Sequence, residues 1–320
     1  MDKGKFVVSL DFELFWGLAG WGREQLLAYQ PRIEGAIDAL NRILEVFNKY
    51  DIKCTIAFVG GINKSSREDF LASAPTLKPS YVNNMFSSYD LLLSLVKDGA
   101  ISERLLFRPD VVEQLQHNPL VELGSHTFSH YYALEDGQTI DEFKVDIDRA
   151  QSEASNKGLI LKSIIFPRNQ IPQSYHKVCA SAGFTHIRGN EESFLYCSES
   201  TPSKFDVKRF LRLLDCYLNL TGHHTYKIPK KGILIDVPAS RFLRPYSHTL
   251  RFFEAMKVRR VINDIEYAAK HKHIYHIWWH PHNFGIYTDE SILQLEEICK
   301  CFVKMRIKYN MESCFMCEIK

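Results

Sequence analysis

Phe6-Val-Val-Ser-Leu-Asp-Phe-Glu13, followed further along by Lys53-Cys-Thr-Ile-Ala-Phe-Val59, decides the fold class. Each is a short apolar run of the length and composition of a strand buried on both faces. The second is closed by Gly60-Gly61. Between them, over Pro31 to Tyr50, Ile33, Ile37, Leu40, Ile43, Leu44 and Phe47 recur at helical spacing. Strand, helix, strand in that order predicts a parallel α/β core. The first run ends in acidic residues, as a strand does when its C-terminal end carries chemistry.

Working outward, residues 62–110 are dominated by Ser, Asn, Pro and charged residues until Leu91 to Val96, and read as an inserted lobe of loops and helices. Pro119 to Gly124 resumes the strand pattern and delivers His126. Thr139-Ile-Asp-Glu142 has the form of a capping box that opens a helix to about Lys157. A strand from Leu161 to Phe166 ends in Pro167-Arg168-Asn169-Gln170, followed by a helix around Ser174 to Ala182 and a short strand at Phe184 to Ile187. Residues 188–231 are polar, histidine-bearing and irregular, a second excursion over one rim. Strand Gly232 to Val237, helix Leu250 to His271, strand His273 to Trp279 and a closing helix Asp289 to Lys308 complete about seven βα units. The expectation is one domain over residues 1–320, with insertions at about 62–110 and 188–231.

Composition narrows the partners. A net charge of +2 over 320 residues, with Lys and Arg scattered, leaves no electrostatic footprint for nucleic acid. Lys227-Ile-Pro-Lys-Lys231 and Lys257-Val-Arg-Arg260 are short enough to be a solvated turn and a helix face. No long apolar segment with a small-residue cleavage site follows Met1-Asp-Lys-Gly-Lys5, so no signal peptide is expected. No stretch approaches the roughly 18 uninterrupted apolar residues of a membrane span. Eight cysteines without an export signal predict reduced thiols and a cytoplasmic location. Cys299, Cys301, Cys314 and Cys317 read as buried inert thiols rather than a zinc site.

The candidate chemistry lies where strands run out. In Leu123-Gly-Ser-His-Thr-Phe-Ser-His130, a turn into a helix would put His126 and His130 on one face, where two imidazoles could grip one metal. Asp11 and Glu13, one residue apart on a strand, would project to one side, one to bind metal and one to accept a proton. Arg168 closes a strand and could lower and orient a nearby carboxylate, or form an ordinary ion pair. In Trp278-Trp-His-Pro-His282, two histidines bracket a proline among aromatics, and the Trp pair reads first as packing. His223-His224 has no catalytic role in this reading.

Together these segments resemble the polysaccharide deacetylase family, metal-dependent N-deacetylases of chitin, peptidoglycan and related glycans. The resemblance rests on Ser9-Leu-Asp-Phe-Glu13, His126-Thr-Phe-Ser-His130, Phe166-Pro-Arg168 and Trp279-His-Pro-His282, with Lys53 to Gly60 similar to the family's second strand. It implies a distorted (β/α) barrel of about seven parallel strands. It implies one divalent metal, zinc first, with cobalt, nickel or manganese as alternatives. Carried across, Asp11 is the base, Glu13, His126 and His130 are the metal ligands, Arg168 orients Asp11 and His280 is the general acid. His282 and Trp279 are placed as substrate-binding. The sequence departs from the family in its Asp-x-Glu spacing, its Pro-Arg order and the additional His282.

The function so implied is removal of an N-acetyl group from an amino sugar in a nucleotide- or lipid-linked precursor of a surface glycan. Two alternatives stay open. One is a ring-amide hydrolase of the same fold, allantoinase- or imidase-like. The other is a glycan- or metabolite-binding protein without turnover.

Overall fold

β1 (Lys5–Phe12) sits in the middle of a sheet that wraps round on itself. In the computed structural model, residues 3–193, 195–196, 207–227 and 229–320 are described. The other strands follow as β2 (Cys54–Phe58), β3 (Val121–Ser125), β4 (Ser163–Ile164), β5 (His186–Ile187), β6 (Lys230–Lys231), β7 (Ile235–Asp236), β8 (Arg241–Phe242), β9 (Ile274–Trp279) and β10 (Glu312–Cys314). Eight of them form a continuous parallel run, β7-β5-β4-β3-β2-β1-β9-β8. β6 adds antiparallel to β7, and β10 pairs in parallel with β1.

The eighth strand, one more than the sequence implies, has a local cause. β7 and β8 are successive parts of one extended run interrupted at Pro238, which has no N–H to give to a ladder. Before the proline the run is tied to β5, with Val237 N–H donating to Ile187 O at 2.9 Å. Ala239 N–H still bonds Gly189 O at 2.9 Å, then Ser240 N–H donates to His276 O at 2.7 Å and Leu243 N–H to Trp278 O at 2.8 Å. This bent strand joins the two ends of the sheet and makes the barrel.

Alternation along the strands separates two environments. Phe6, Val8, Leu10 and Phe12 of β1 and Tyr275, Ile277 and Trp279 of β9 face outward into the main hydrophobic core under the helices. Val7, Ala57, Ile165, Val237 and Ile274 face the barrel axis. There they meet Cys314, Met316 and Ile319, so the C-terminal segment plugs the N-terminal end of the barrel. Polar ties hold the plug, with Met316 N–H donating to Thr55 Oγ1 at 2.9 Å and Ile319 O bonded to His186 Nε2 at 2.9 Å. Further along the axis the inward positions become polar: Ser9 and His276, then Asp11 and Trp278, then Glu13 and His280.

The helix expected from Pro31 to Tyr50 is two helices, Arg23–Glu34 and Ala36–Tyr50, parted at Gly35. A Cβ on Gly35 would lie 2.2 Å from Gly285 O, so the junction is set by a glycine-to-glycine approach to the loop after β9. The capping box at Thr139 forms and starts a helix over Ile140–Ser155. Residues 62–110 hold the helices Arg67–Ser73 and Leu91–Lys97, and a third, Pro109–Gln116, starts at their end. None of the described helices is long and apolar enough to cross a membrane. Part of the expected excursion at 188–231 lies outside the described residues.

Candidate active site

Acidic side chains reach the barrel mouth because β1 keeps its alternation through Glu13, where Leu14 turns the chain with φ +47 into a short 3-10 helix, Leu14–Leu18. The backbone passes so close to the Glu13 carboxylate that a Cβ on Gly17 would sit 2.1 Å from Glu13 Oε1. Opposite, His126 and His130 do not share a helical face, contrary to the i, i+4 expectation. Residues 126–130 are an irregular loop with Thr127 at φ +64 and His130 at φ +59. Phe128 is driven down into an aromatic cluster, stacked on Phe70 at 5.3 Å, which throws the two histidines up to the mouth.

Asp146, from the middle of the helix Ile140–Ser155, holds that loop. It is buried and accepts from Phe128 N–H at 2.7 Å, Ser129 N–H at 3.1 Å and Ser129 Oγ–H at 2.5 Å. Burial raises its carboxyl to about 6, and these three bonds only partly offset that. Gly60 and Gly61 N–H donate to Thr127 O and Phe128 O, both at 2.9 Å, from the other side.

Three ligand atoms converge. Glu13 Oε2 lies 3.3 Å from His126 Nε2 and 3.0 Å from His130 Nε2. All three residues are buried. Burial acts to raise the Glu13 carboxyl, but His280 and the bonds to His126 and His130 outweigh it and hold it well below its ordinary value. Burial pushes His130 down to about 4, so it is neutral at physiological pH. His126 Nδ1 is bonded to Ile165 O at 2.9 Å. A carbonyl only accepts, so Nδ1 carries a proton, and in the neutral ring Nε2 is then the nitrogen free to bind a metal.

With both rings offering Nε2 as a lone pair, these three atoms form a donor set for one cation. The separations also have the size of the edge of a shell with metal–ligand bonds of about 2.0–2.2 Å. The donor set therefore fits a divalent ion. Glu13 with His280 and His282 forms a second, overlapping group of the same kind.

Asp11 stands beside this cup with a different partner from the expected one. Arg188 Nη1 donates to Asp11 Oδ1 at 2.6 Å and Nη2 to Oδ2 at 2.7 Å, a bidentate pair with both residues buried. Burial acts to raise the Asp11 carboxyl, and the guanidinium outweighs it and holds the group lowered. Arg188 is itself fixed by Ser9 Oγ at 3.1 Å and Asn169 Oδ1 at 2.9 Å, and lies 4.1 Å over the Trp278 ring.

Arg168, expected to orient Asp11, instead donates to Ala19 O at 2.9 Å and stacks 4.2 Å over Tyr132. With Arg168 at φ +53 and Asn169 at φ +52, the chain turns so that Asn169 is the residue delivered to the Asp11 side. Arg188 was legible in principle: it follows a strand ending in Ile187, as His126 follows one ending in Ser125.

His280 faces both acids, its Nε2 3.4 Å from Glu13 Oε1 and 3.7 Å from Asp11 Oδ2. Asn283 Oδ1, 3.1 Å from Nδ1, sets its orientation. His282 stacks on His280 at 5.0 Å and is buried, which pushes it down to about 3. Trp279, expected to touch substrate, points the other way. It is fully buried in the outer core, stacked on Phe284 at 5.6 Å, and the inward tryptophan is Trp278. A cavity of about 360 Å³ opens over the cup, lined by Asp11, Glu13, Tyr29, His130, Trp278 and His280 among others.

Residues 34–187 match the family model "Polysaccharide deacetylase". Over that stretch, just under half of its length, the chain is similar to the polysaccharide deacetylases. The matched stretch holds His126 and His130, and the fold brings Asp11, Glu13 and His280 to them from outside it. Among solved structures, a Mycobacterium smegmatis protein assigned to the polysaccharide deacetylases superposes with a TM-score of 0.55 at 12% identity, over 99% of this chain and 89% of that one. One from Pseudomonas aeruginosa PAO1, also so assigned, gives 0.53 at 8% identity over 98% and 88%. The allantoinase PuuE gives 0.54 at 10% identity over 98% and 88%. These likenesses establish the shared barrel. No curated protein matches the sequence.

Proposed function

We propose that this protein is a metal-dependent hydrolase that removes the N-acetyl group of an amino sugar in a nucleotide- or lipid-linked precursor of a surface glycan. One observation carries the reading: Glu13, His126 and His130 meet at ligand spacing while Asp11, clamped by Arg188, and His280 flank them in the same cavity. A divalent ion held by Glu13 and the two histidines supplies Lewis acidity, lowering the pKa of water towards about 7 and polarising the acetamide oxygen.

The remaining steps belong to side chains of this chain. Arg188 keeps Asp11 ionised, so Asp11 accepts a proton from the attacking water. Arg188 also fixes the direction of the Asp11 lone pairs, and Trp278 closes one wall against bulk solvent. His280, oriented by Asn283 and open to the cavity, gives a proton to the nitrogen as the C–N bond breaks, because an amide nitrogen leaves poorly without one. Water and amide become acetate and amine. His282, neutral, stacks on His280 and lines the same cavity, where it can contact the substrate.

A cytoplasmic location belongs to the same proposal. The described cysteines are free, and burial raises Cys179 and Cys317 to about 12 and Cys301 to about 11, as suits inert thiols.

The test is incubation with zinc, cobalt, nickel or manganese and a panel of N-acetylated sugars and sugar nucleotides, reading free acetate. Acetate release abolished by a chelator and restored by metal supports the proposal. Ring opening of allantoin with no acetate from any sugar would replace it with the ring-amide reading.

A further inference from the structure

A second cavity of about 350 Å³ adjoins the first, and the two share Arg168, Asn169, Phe242, Trp278 and His280 as lining residues. Its wall is rich in donors. Arg168, Arg212, Arg241 and Arg244 line it against a single carboxylate, Glu191. That carboxylate is bonded to His224 Nδ1 at 3.1 Å.

Three buried N–H groups on this wall have no acceptor in the protein: Arg241 Nη2, Arg244 Nε and Trp278 Nε1. A buried donor without an acceptor is costly, the more so when charged, so three on one cavity wall point to an acceptor supplied from outside. Arg241 is positioned for this role. Asp264 Oδ2 takes its Nε–H at 3.0 Å and Asp215 Oδ2 its Nη1–H at 3.2 Å, leaving Nη2 as the one nitrogen without a partner. Its buried ion pairs prevent the side chain from swinging to another acceptor. A ligand group matching such a wall has acceptors only and negative charge, as phosphate oxygens do.

We propose that this cavity is a phosphate subsite. Arg244, Arg241 and Trp278, with Arg168 at the border of the two cavities, bind the phosphate or diphosphate through which the sugar is joined to its carrier. The inference rests on the deacetylase reading for the identity of the sugar, and on the cavity wall for its anionic attachment. The shared lining places the anion next to the reacting acetamide. Binding energy gathered on the phosphate, away from the scissile bond, would then orient the sugar over the cup. The hydroxyls of a neutral glycan can accept from these donors but bring no charge to set against four arginines, so the subsite favours an anionic attachment.

The test is calorimetric titration of the full-length protein, stripped of metal so that chelation cannot imitate binding. The probes are inorganic pyrophosphate, uridine diphosphate and farnesyl diphosphate. Saturable binding of pyrophosphate is expected, weakened about tenfold by Arg244→Ala. Trp278→Phe, which keeps the ring and loses only Nε1–H, is expected to weaken it several-fold. Tighter binding of uridine diphosphate than of pyrophosphate assigns a nucleotide carrier, and tighter binding of farnesyl diphosphate a lipid carrier. No saturable binding of any probe, or binding indifferent to both substitutions, overturns the subsite. Acetate release from a neutral N-acetyl sugar, followed in parallel, keeps the two readings apart: the subsite can fall while deacetylation stands, and the reverse.

Discussion

Glu13 and Asp11 are one residue apart in the chain and have opposite companions, two imidazoles for one and a guanidinium for the other. Their substitution should therefore separate metal binding from proton transfer. Glu13→Gln is expected to release the metal, measured as metal per chain after dialysis. Asp11→Asn is expected to keep the metal and lower turnover by about 10²–10⁴-fold. Arg188→Met leaves the Asp11 carboxylate buried without its partner, a change that costs about 3–5 kcal/mol. Arg168→Met, at a partly exposed stacked position, should cost much less. Urea denaturation of the two variants side by side measures the difference.

At the scale of elements, the loop carrying His126 and His130 depends on Asp146 reaching in from the neighbouring helix. The folded state holds its carboxyl at about 6, above the ordinary carboxylate range. A raised carboxyl favours the folded state once protonated, so its contribution is greatest below the unfolded pKa near 4 and is lost as pH rises through about 6. Wild type should gain stability relative to Asp146→Asn as pH falls across that window, read from urea midpoints at several pH values. Gly17→Ala tests the other wall: the added carbon meets the Glu13 carboxylate at 2.1 Å, so metal affinity should fall while the circular dichroism spectrum is retained.

Strand periodicity made β1, β2, β3 and β9 legible, because each is buried on both faces and its apolar run is long enough to read. β4, β5 and β7 fall within the strands expected at Leu161–Phe166, Phe184–Ile187 and Gly232–Val237, and in the parallel run only β8, two residues long, shows no period to read. The pairing of His126 with His130 was legible as chemistry but not as shape. The spacing suggested a helix, whereas buried Phe128 and two left-handed residues do the work. Arg188 and Trp278 were missed for one reason: which residue of a strand end faces the axis is decided by register, and register is a property of neighbours far along the chain.

Across the whole molecule, the barrel is sealed at one end by the last residues. Met316 and Ile319 are buried against the axis. Either residue cut to Ala should cost about 2–5 kcal/mol. Deleting residues 312–320 removes β10 as well and should lower the thermal midpoint far more than either point change. Differential scanning calorimetry ranks the three.

The order of strands around the barrel has a further meaning for a chain made from its N-terminus. β1 is made before the other strands, yet β9, which covers one of its edges, comes from residues 274–279, and β10, from residues 312–314, joins the opposite edge ahead of β2. The bent run at Pro238 likewise waits for β9. A nascent polypeptide must therefore carry β1 with one edge bare until residues 274–279 have been made, and the same stretch delivers His280 to the mouth.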